Sequence, residues 1–272
     1  MIQGAGTARP ARHLENVMGT VVTIDLYTGR DITAAEAAEI RRQLGRARAV
    51  LQQADAVFST WQPRSPVSRL RAGEITIEQA PAEVADVLER CAAARELSRG
   101  WFDPWAMPGG IDPTGYVKGW AAQQALAAFT APCITGVMVN AAGDIASSGG
   151  PAPGQPFRVG IADPAAPRRL AEIVQLTGLS GAIATSGTYE RGAHLIDPHS
   201  RQPAARVASA SVTGPDLGLA DALATAVAVA GEPGLALIEP IDGYEALTIG
   251  FDGSRSSTLR FPFAPPQSTL PQ

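Results

Sequence analysis

Residues 17–58 read VMGTVVTIDLYTGRDITAAEAAEIRRQLGRARAVLQQADAVF, and this stretch changes its hydrophobic period halfway. In the first part, Val22, Ile24 and Leu26 alternate with Thr23 and Asp25, the period-two signature of a strand with one buried face. Thr33 and Glu36 then form a capping-box pair, in which the hydroxyl caps the helix and the carboxylate reaches back. Behind them Ile40, Leu44, Ala47, Leu51, Ala54 and Phe58 recur at helical spacing. The stretch therefore predicts a strand over 17–27 followed by one amphipathic helix over 34–57.

The same mixture continues outward. Pro81 opens a helix that carries Val84, Val87, Leu88 and Cys91 on its apolar stripe and ends at Gly100. Further helices are expected over 115–129 and 217–230, the latter closed by Gly231 and Pro233. Strands are expected over 137–140, 157–161, 172–176, 182–185 and 244–251, with a Gly/Pro loop over 147–156. Strands and helices do not alternate regularly and no repeat is visible, which favours an α+β architecture over a doubly wound sheet. The expected organisation is one domain over 14–263, between a loose N-terminal segment, 1–13, and a loose tail, 264–272.

Composition narrows the classes. With 45% hydrophobic and 18% charged residues among 272, the chain has a globular composition. A net charge of -4 gives no basic excess for a nucleic-acid backbone, so no nucleic-acid partner is expected. Cys91 and Cys133 form no C-x-x-C pair and read as buried free thiols. No apolar run spans a bilayer and the N-terminal residues show no signal-peptide core, so the expected location is cytoplasmic, without a membrane span.

Six constellations carry polar chemistry. Gly109-Gly-Ile-Asp112-Pro-Thr-Gly115-Tyr-Val-Lys118 places glycines and a lysine at a helix start, where free N–H groups and the helix dipole favour an anion. The plainer reading is a capping Asp112 and a solvated Lys118. Asp221 and Thr225 lie four residues apart on one helix face, and their oxygens suit Mg²⁺; the plainer reading is an acid in a first helical turn. His194, in Ser186-Gly-Thr-Tyr-Glu-Arg-Gly-Ala-His194-Leu-Ile196-Asp197-Pro-His199, has the pKa range of a general base. A His194, Asp197, His199 metal set competes with that reading but matches no standard zinc spacing. Asn140-Ala-Ala-Gly143-Asp144 runs a strand into a Gly turn that Asp144 would fix. Trp61 and the pair Trp101-Phe102, beside Asp103, are aromatics placed either to stack on a planar ring or to fill core.

Taken in order, these pieces resemble the ApbE family of FAD:protein FMN transferases. The matching landmarks are Met18-Gly-Thr20, Phe58-Ser-Thr-Trp61 with Ser68-Arg-Leu70, Phe102-Asp103-Pro104, Asp112 through Lys118-Gly119, Asn140 through Ile145, Ser186-Gly187 through Asp197-Pro198, and Ala220-Asp221-Ala-Leu-Ala-Thr225. The resemblance implies an α+β, T-fold-like protein with two closely packed lobes and a flavin cleft between them. It implies FAD as substrate, Mg²⁺ as cofactor and an acceptor protein with a Thr or Ser hydroxyl that receives FMN as AMP leaves. By position, Asp221, Thr225 and the Gly115 carbonyl match metal ligands. Met18, Trp61, Trp101, Phe102, Asp103, Asp112, Lys118 and Ile196 match FAD contacts. His194 matches the catalytic base, and Lys118 would add fixed positive charge to catalysis. Two rival readings keep the same residues: an FAD diphosphatase that uses water as acceptor, and a flavin-binding module without catalysis. Asn140-Ala-Ala-Gly143 departs from the family's usual Asn-Ala-Gly-Gly or Asn-Leu-Gly-Gly, the Asp103–Asp112 stretch is short, and no lipobox Cys is present.

Overall fold

The computed structural model describes residues 10–176, 181–187 and 195–265. Its first elements correct the expectation of one strand over 17–27. Strands β1 (Ala11–Val17) and β2 (Thr20–Tyr27) form an antiparallel hairpin whose two-residue turn is Met18 and Gly19. Both turn residues have positive φ, 53° and 69°, the geometry that matches the right-handed twist of the flanking strands. β1 begins at Ala11, inside the segment expected to be loose up to residue 13, and Ala11 pairs with Leu26.

Helix α1 (Ala34–Phe58) follows, with the capping box in place: Thr33 Oγ1 accepts from the Glu36 N–H at 3.2 Å, and Glu36 Oε2 accepts from the Thr33 N–H at 2.8 Å. Next come α2 (Pro66–Arg71), α3 (Ala82–Leu97) and α4 (Thr114–Leu126). The strands β3 (Gly136–Ala141), β4 (Asp144–Gly149), β5 (Phe157–Asp163), β6 (Ala166–Leu176) and β7 (Gly181–Gly187) form the middle of the chain. β4 runs to Gly149, three residues into the loop expected from 147. After the short pair β8 (Ile196–Asp197) and β9 (Gln202–Pro203) come β10 (Ser209–Gly214), α5 (Leu217–Ala230), α6 (Leu235–Ile238), β11 (Glu245–Ile249) and β12 (Arg255–Ser257).

Eight strands make one antiparallel sheet in the order β1-β2-β3-β4-β7-β10-β11-β12, an α+β architecture as expected. Side chains alternate between its faces. Val22, Ile24, Val137, Val139, Ala146, Ala182, Ala184, Ala210, Val212 and Ala246 belong to the main core with the helices. Ile145, Ile183, Leu247 and Ile249 join a second core with Phe157, Val159, Ile161, Val174 and Leu176 of the β5–β6 hairpin, which packs on the other face. Cys91 and Cys133 are free and buried, and burial pushes the Cys91 thiol up to about 12, so it stays protonated near neutral pH. No helix among the described residues is long and apolar enough to cross a membrane.

The helical layer is built around one close crossing. Every residue of α5 except Leu219 and Thr225 is buried, and most of its side chains are no larger than valine. α4 meets it at two glycines. A Cβ on Gly119 would lie 2.4 Å from the Leu217 carbonyl oxygen, and one on Gly218 would lie 2.8 Å from the Tyr116 ring. Neither position has room for a methyl group without parting the helices. Gly119→Ala is expected to destabilise the protein by about 1–3 kcal/mol, read by denaturant unfolding; an unchanged midpoint would mean that the crossing relaxes without cost.

Candidate functional site

The α4–α5 crossing opens into a cavity of about 720 Å³, within the ordinary range for small-molecule sites. Its walls come from the Met18-Gly19 turn, the end of α1 with Ser59 to Gln62, the Trp101–Pro104 segment, the start of α4, the end of β7, Ile196 with Pro198, and Asp221 and Thr225 of α5. The structure thus brings together Met18, Trp61, Trp101, Phe102, Asp103, Asp112, Gly115, Lys118, Ile196, Asp221 and Thr225 around one space. His194, the expected base, lies outside the described residues.

Local hydrogen bonds fix the walls. The Ser65 and Ser68 hydroxyls both donate to the Ser59 carbonyl, at 2.5 and 3.0 Å, which pins the chain where α1 ends. Ser65 also caps α2 by accepting from the Ser68 N–H at 3.0 Å. This holds the backbone beside Trp61, whose side chain stays open and 92% exposed. Trp101 is held from behind: the His199 ring centroid is 4.5 Å from its own, and the Arg206 guanidinium lies 5.0 Å from the indole centroid.

The acids of the cavity differ in what they have left to offer. Asp103 caps the turn at Pro104–Ala106 by accepting from the Trp105 N–H at 2.9 Å, and its other oxygen accepts from Arg95 at 2.7 Å. Asp112 Oδ1 accepts from the N–H and hydroxyl of Thr114, at 3.0 and 2.6 Å. It therefore steadies the first residues of α4, as the capping reading expected. α4 begins at Thr114, which places Lys118 in its second turn rather than its first.

Asp221 is different. It is 4% exposed, and its Oδ2 has no hydrogen-bond partner among the described residues. It is not the acid of the first turn of α5. That position belongs to the N-cap Asp216, which accepts from the Leu219 N–H at 2.8 Å. Burial, followed by the charge of Asp144, raises the Asp221 carboxyl well above the usual carboxylate range, against the pull of Lys118 and the Gly119 N–H. One turn further on, Thr225 Oγ1 lies 3.2 Å from Ser186 Oγ. Gly115 faces this point: a Cβ there would sit 3.8 Å from Thr225 Oγ1 and 3.3 Å from the Phe102 ring.

Asp144 is the participant that the sequence reading placed elsewhere. The turn before it is fixed by Asn140, whose Oδ1 accepts from the Gly143 N–H at 2.8 Å. Asp144 instead opens β4, fully buried, and pairs with the Lys118 ammonium. Its Oδ1 accepts from the Thr185 N–H at 3.1 Å. The signal was present in the Asn-x-x-Gly spacing, which completes the turn without help and frees the next residue to point inward. Ala142 sits in that turn at φ 52°.

These donors fit a hard divalent cation. A carboxylate with one oxygen that no described residue binds, a hydroxyl and a helix-start carbonyl are oxygen ligands of the kind Mg²⁺ takes alongside water. Among the described residues, no three of His, Cys, Asp and Glu gather as a metal cluster, so the hydroxyl and carbonyl would be needed to complete the set. Asp197 serves a turn instead. Burial opposes its ionisation, but the His199 and Ser200 N–H groups outweigh that and hold its carboxyl below the usual range.

The fold and cavity define an α+β protein with an oxygen-lined, aromatic-walled small-molecule site. The chain belongs to the ApbE family, whose sequence profile matches residues 18–109 and 108–248. A stretch of 157 residues is 36% identical to an FAD:protein FMN transferase of Rhodobacter capsulatus, covering 54% of this chain but only 29% of that protein. The ApbE protein of Thermotoga maritima superposes with a TM-score of 0.76 at 22% identity, over 92% of this chain and 97% of that one. The flavinyl transferase ApbE of Pseudomonas stutzeri gives 0.76 at 23% identity, over 94% and 97%. The flavin transferase ApbE of Vibrio cholerae gives 0.70 at 21%, over 92% and 97%.

Asp221→Asn keeps the side chain's size and removes a buried acid whose Oδ2 has no partner among the described residues, so the metal-free variant is expected to be at least as stable as the wild type, gaining up to about 3 kcal/mol. Added Mg²⁺ should raise the melting temperature of the wild type but not of the variant. A variant less stable than the metal-free wild type, or equally responsive to Mg²⁺, would contradict the assignment.

Proposed function

We propose that the protein is a transferase that moves FMN from FAD to a Ser or Thr hydroxyl of another protein, releases AMP, and requires Mg²⁺. The observation that carries this reading is the buried Asp221 carboxyl, whose Oδ2 has no partner among the described residues, beside Lys118 and the start of α4, inside a cavity walled by Trp61, Trp101 and Phe102. The names of the related proteins from Rhodobacter capsulatus, Pseudomonas stutzeri and Vibrio cholerae support the same activity.

FAD offers two planar rings joined by a pyrophosphate, and the cavity divides its chemistry accordingly. The aromatic walls suit the rings by stacking. The positive end of the α4 dipole and the Lys118 ammonium suit the pyrophosphate. Asp144 and Thr185 keep Lys118 at the cavity, so its charge is in place before substrate arrives. Asp221, Thr225 and the Gly115 carbonyl would hold the cation. When bound, it supplies neutralisation of the charge that builds on the pyrophosphate oxygens.

The reaction balances simply. The acceptor hydroxyl oxygen bonds to the FMN phosphorus, the bond from that phosphorus to the bridging oxygen breaks, and AMP leaves with the bridge. The hydroxyl proton passes to a base, the role assigned to His194 from its position in the sequence. Such phosphoryl transfer depends on positioning and on charge stabilisation more than on covalent help from the protein.

Incubation with FAD, Mg²⁺ and an acceptor protein is expected to give covalent flavin fluorescence on the acceptor after denaturation, with one AMP per flavin. Free FMN and AMP without covalent flavin would make water the acceptor and overturn transfer. Asp144→Asn releases Lys118 without changing side-chain size, and is expected to lower kcat about 10–100-fold with little change in the KM for FAD. Wild-type kcat in that variant would remove Lys118 positioning from the account.

A further inference from the structure

The cavity contains one acid that neither the fold nor the proposed transfer uses. Asp55 lies in the last turn of α1, half-buried, and lines the cavity on the same wall as Phe58, Ser59 and Trp61. Its backbone carbonyl accepts from the Ser59 N–H at 3.2 Å, which closes the helix. Its carboxylate makes no hydrogen bond or ion pair with any described residue. The position is electrostatically poor: the C-terminal end of a helix carries negative partial charge, and the last turn of α1 holds no basic residue. The other cavity acids are accounted for, Asp103 by Arg95 and Trp105, Asp112 by Thr114, and Asp221 by its place beside Lys118.

An ionised carboxylate only accepts hydrogen bonds, and it repels phosphate. Facing a dinucleotide, it is therefore matched to the neutral parts that flank the pyrophosphate. We infer that Asp55 is a specificity residue of the FAD site, accepting a hydrogen bond from an N–H or O–H donor of one nucleoside half of FAD. This rests on the proposed FAD site. A carboxylate kept without a protein partner at a repulsive helix end is the arrangement of a group whose partner arrives with the ligand, at a cost to the free protein. The donor belongs either to the flavin half, through its imide N–H or ribityl hydroxyls, or to the adenosine half, through its amine or ribose hydroxyls.

The test compares wild type, Asp55→Asn and Asp55→Ala by calorimetric titration with FAD, FMN and ADP, alongside melting of the ligand-free proteins. Asp55→Ala is expected to weaken FAD about 10–100-fold, and Asp55→Asn by less, because Asn keeps one acceptor oxygen. Only one half-ligand should share the loss: FMN if the donor is on the flavin side, ADP if it is on the adenosine side. The ligand-free variants should melt at or above the wild-type temperature, since a repelled charge has gone. FAD affinities within twofold of wild type would overturn the inference. So would equal losses for FMN and ADP with a lowered melting temperature, which would mark a structural role, or an effect confined to the KM for the acceptor protein. A wild-type protein that binds no FAD would instead refute the FAD site itself, leaving a different signature from failure of the Asp55 assignment.

Discussion

Two helices can approach this closely only where neither carries a side chain, and the site depends on that. At Gly119 and Gly218 the contact is backbone against backbone and ring, with no space for a Cβ. The consequence appears on either side of the crossing. One residue before Gly119 on α4 stands Lys118, and three residues after Gly218 on α5 stands Asp221. A turn beyond each, Gly115 and Thr225 come within side-chain distance of one another. Larger residues at the crossing would push apart the two halves of an oxygen cage, and the many alanines of α5 serve the same closeness against the sheet.

The crossing also concentrates charge in a place where charge is costly. Asp144 and Asp221 are both buried, and among the described residues the Lys118 ammonium is the cation that pairs with Asp144 and acts on Asp221. Two carboxylates out of water next to one cation leave an excess of negative potential, expressed in the raised carboxyl of Asp221. A structural protein would gain by replacing such a group with an apolar one. Its retention is explained if a divalent cation completes the balance, because a bound cation reverses the local preference and holds the carboxylate ionised. On the proposed reading Lys118 would act on the phosphate side of the same cluster, and Asp144, which pairs with it, accepts in turn from the Thr185 N–H.

Much of this was legible in the sequence where a local pattern and the tertiary structure agree. The capping box at Thr33 and Glu36 and the stripe from Ile40 to Phe58 located α1 within one residue, and Gly231 marked the end of α5. The β1–β2 hairpin was not legible, because Met18-Gly19 lacks the Asn-Gly or Asp-Gly chemistry that advertises such a turn. β10, SASVTG, escaped because its core-facing residues are only Ala210 and Val212 and the rest are small hydroxyl side chains or glycine. In the site, the four-residue spacing of Asp221 and Thr225 showed a shared helix face. It did not show that the first is buried with one oxygen left without a partner among the described residues, or that both reach the cavity. Asp144 was read as a turn residue since burial of an acid has no signature in one sequence. Asp55 passed unnoticed, hidden as one polar position in an amphipathic helix.

The central claim is that a cation held by Asp221 and Thr225 touches the pyrophosphate of FAD. Electron–nuclear double resonance on the complex of the protein with FAD and Mn²⁺, used as a paramagnetic substitute for Mg²⁺, tests that contact directly. The account predicts a phosphorus hyperfine coupling to the bound Mn²⁺ that vanishes in Asp221→Ala. A protein-bound Mn²⁺ with no phosphorus coupling, or one whose coupling persists unchanged in Asp221→Ala, would contradict it.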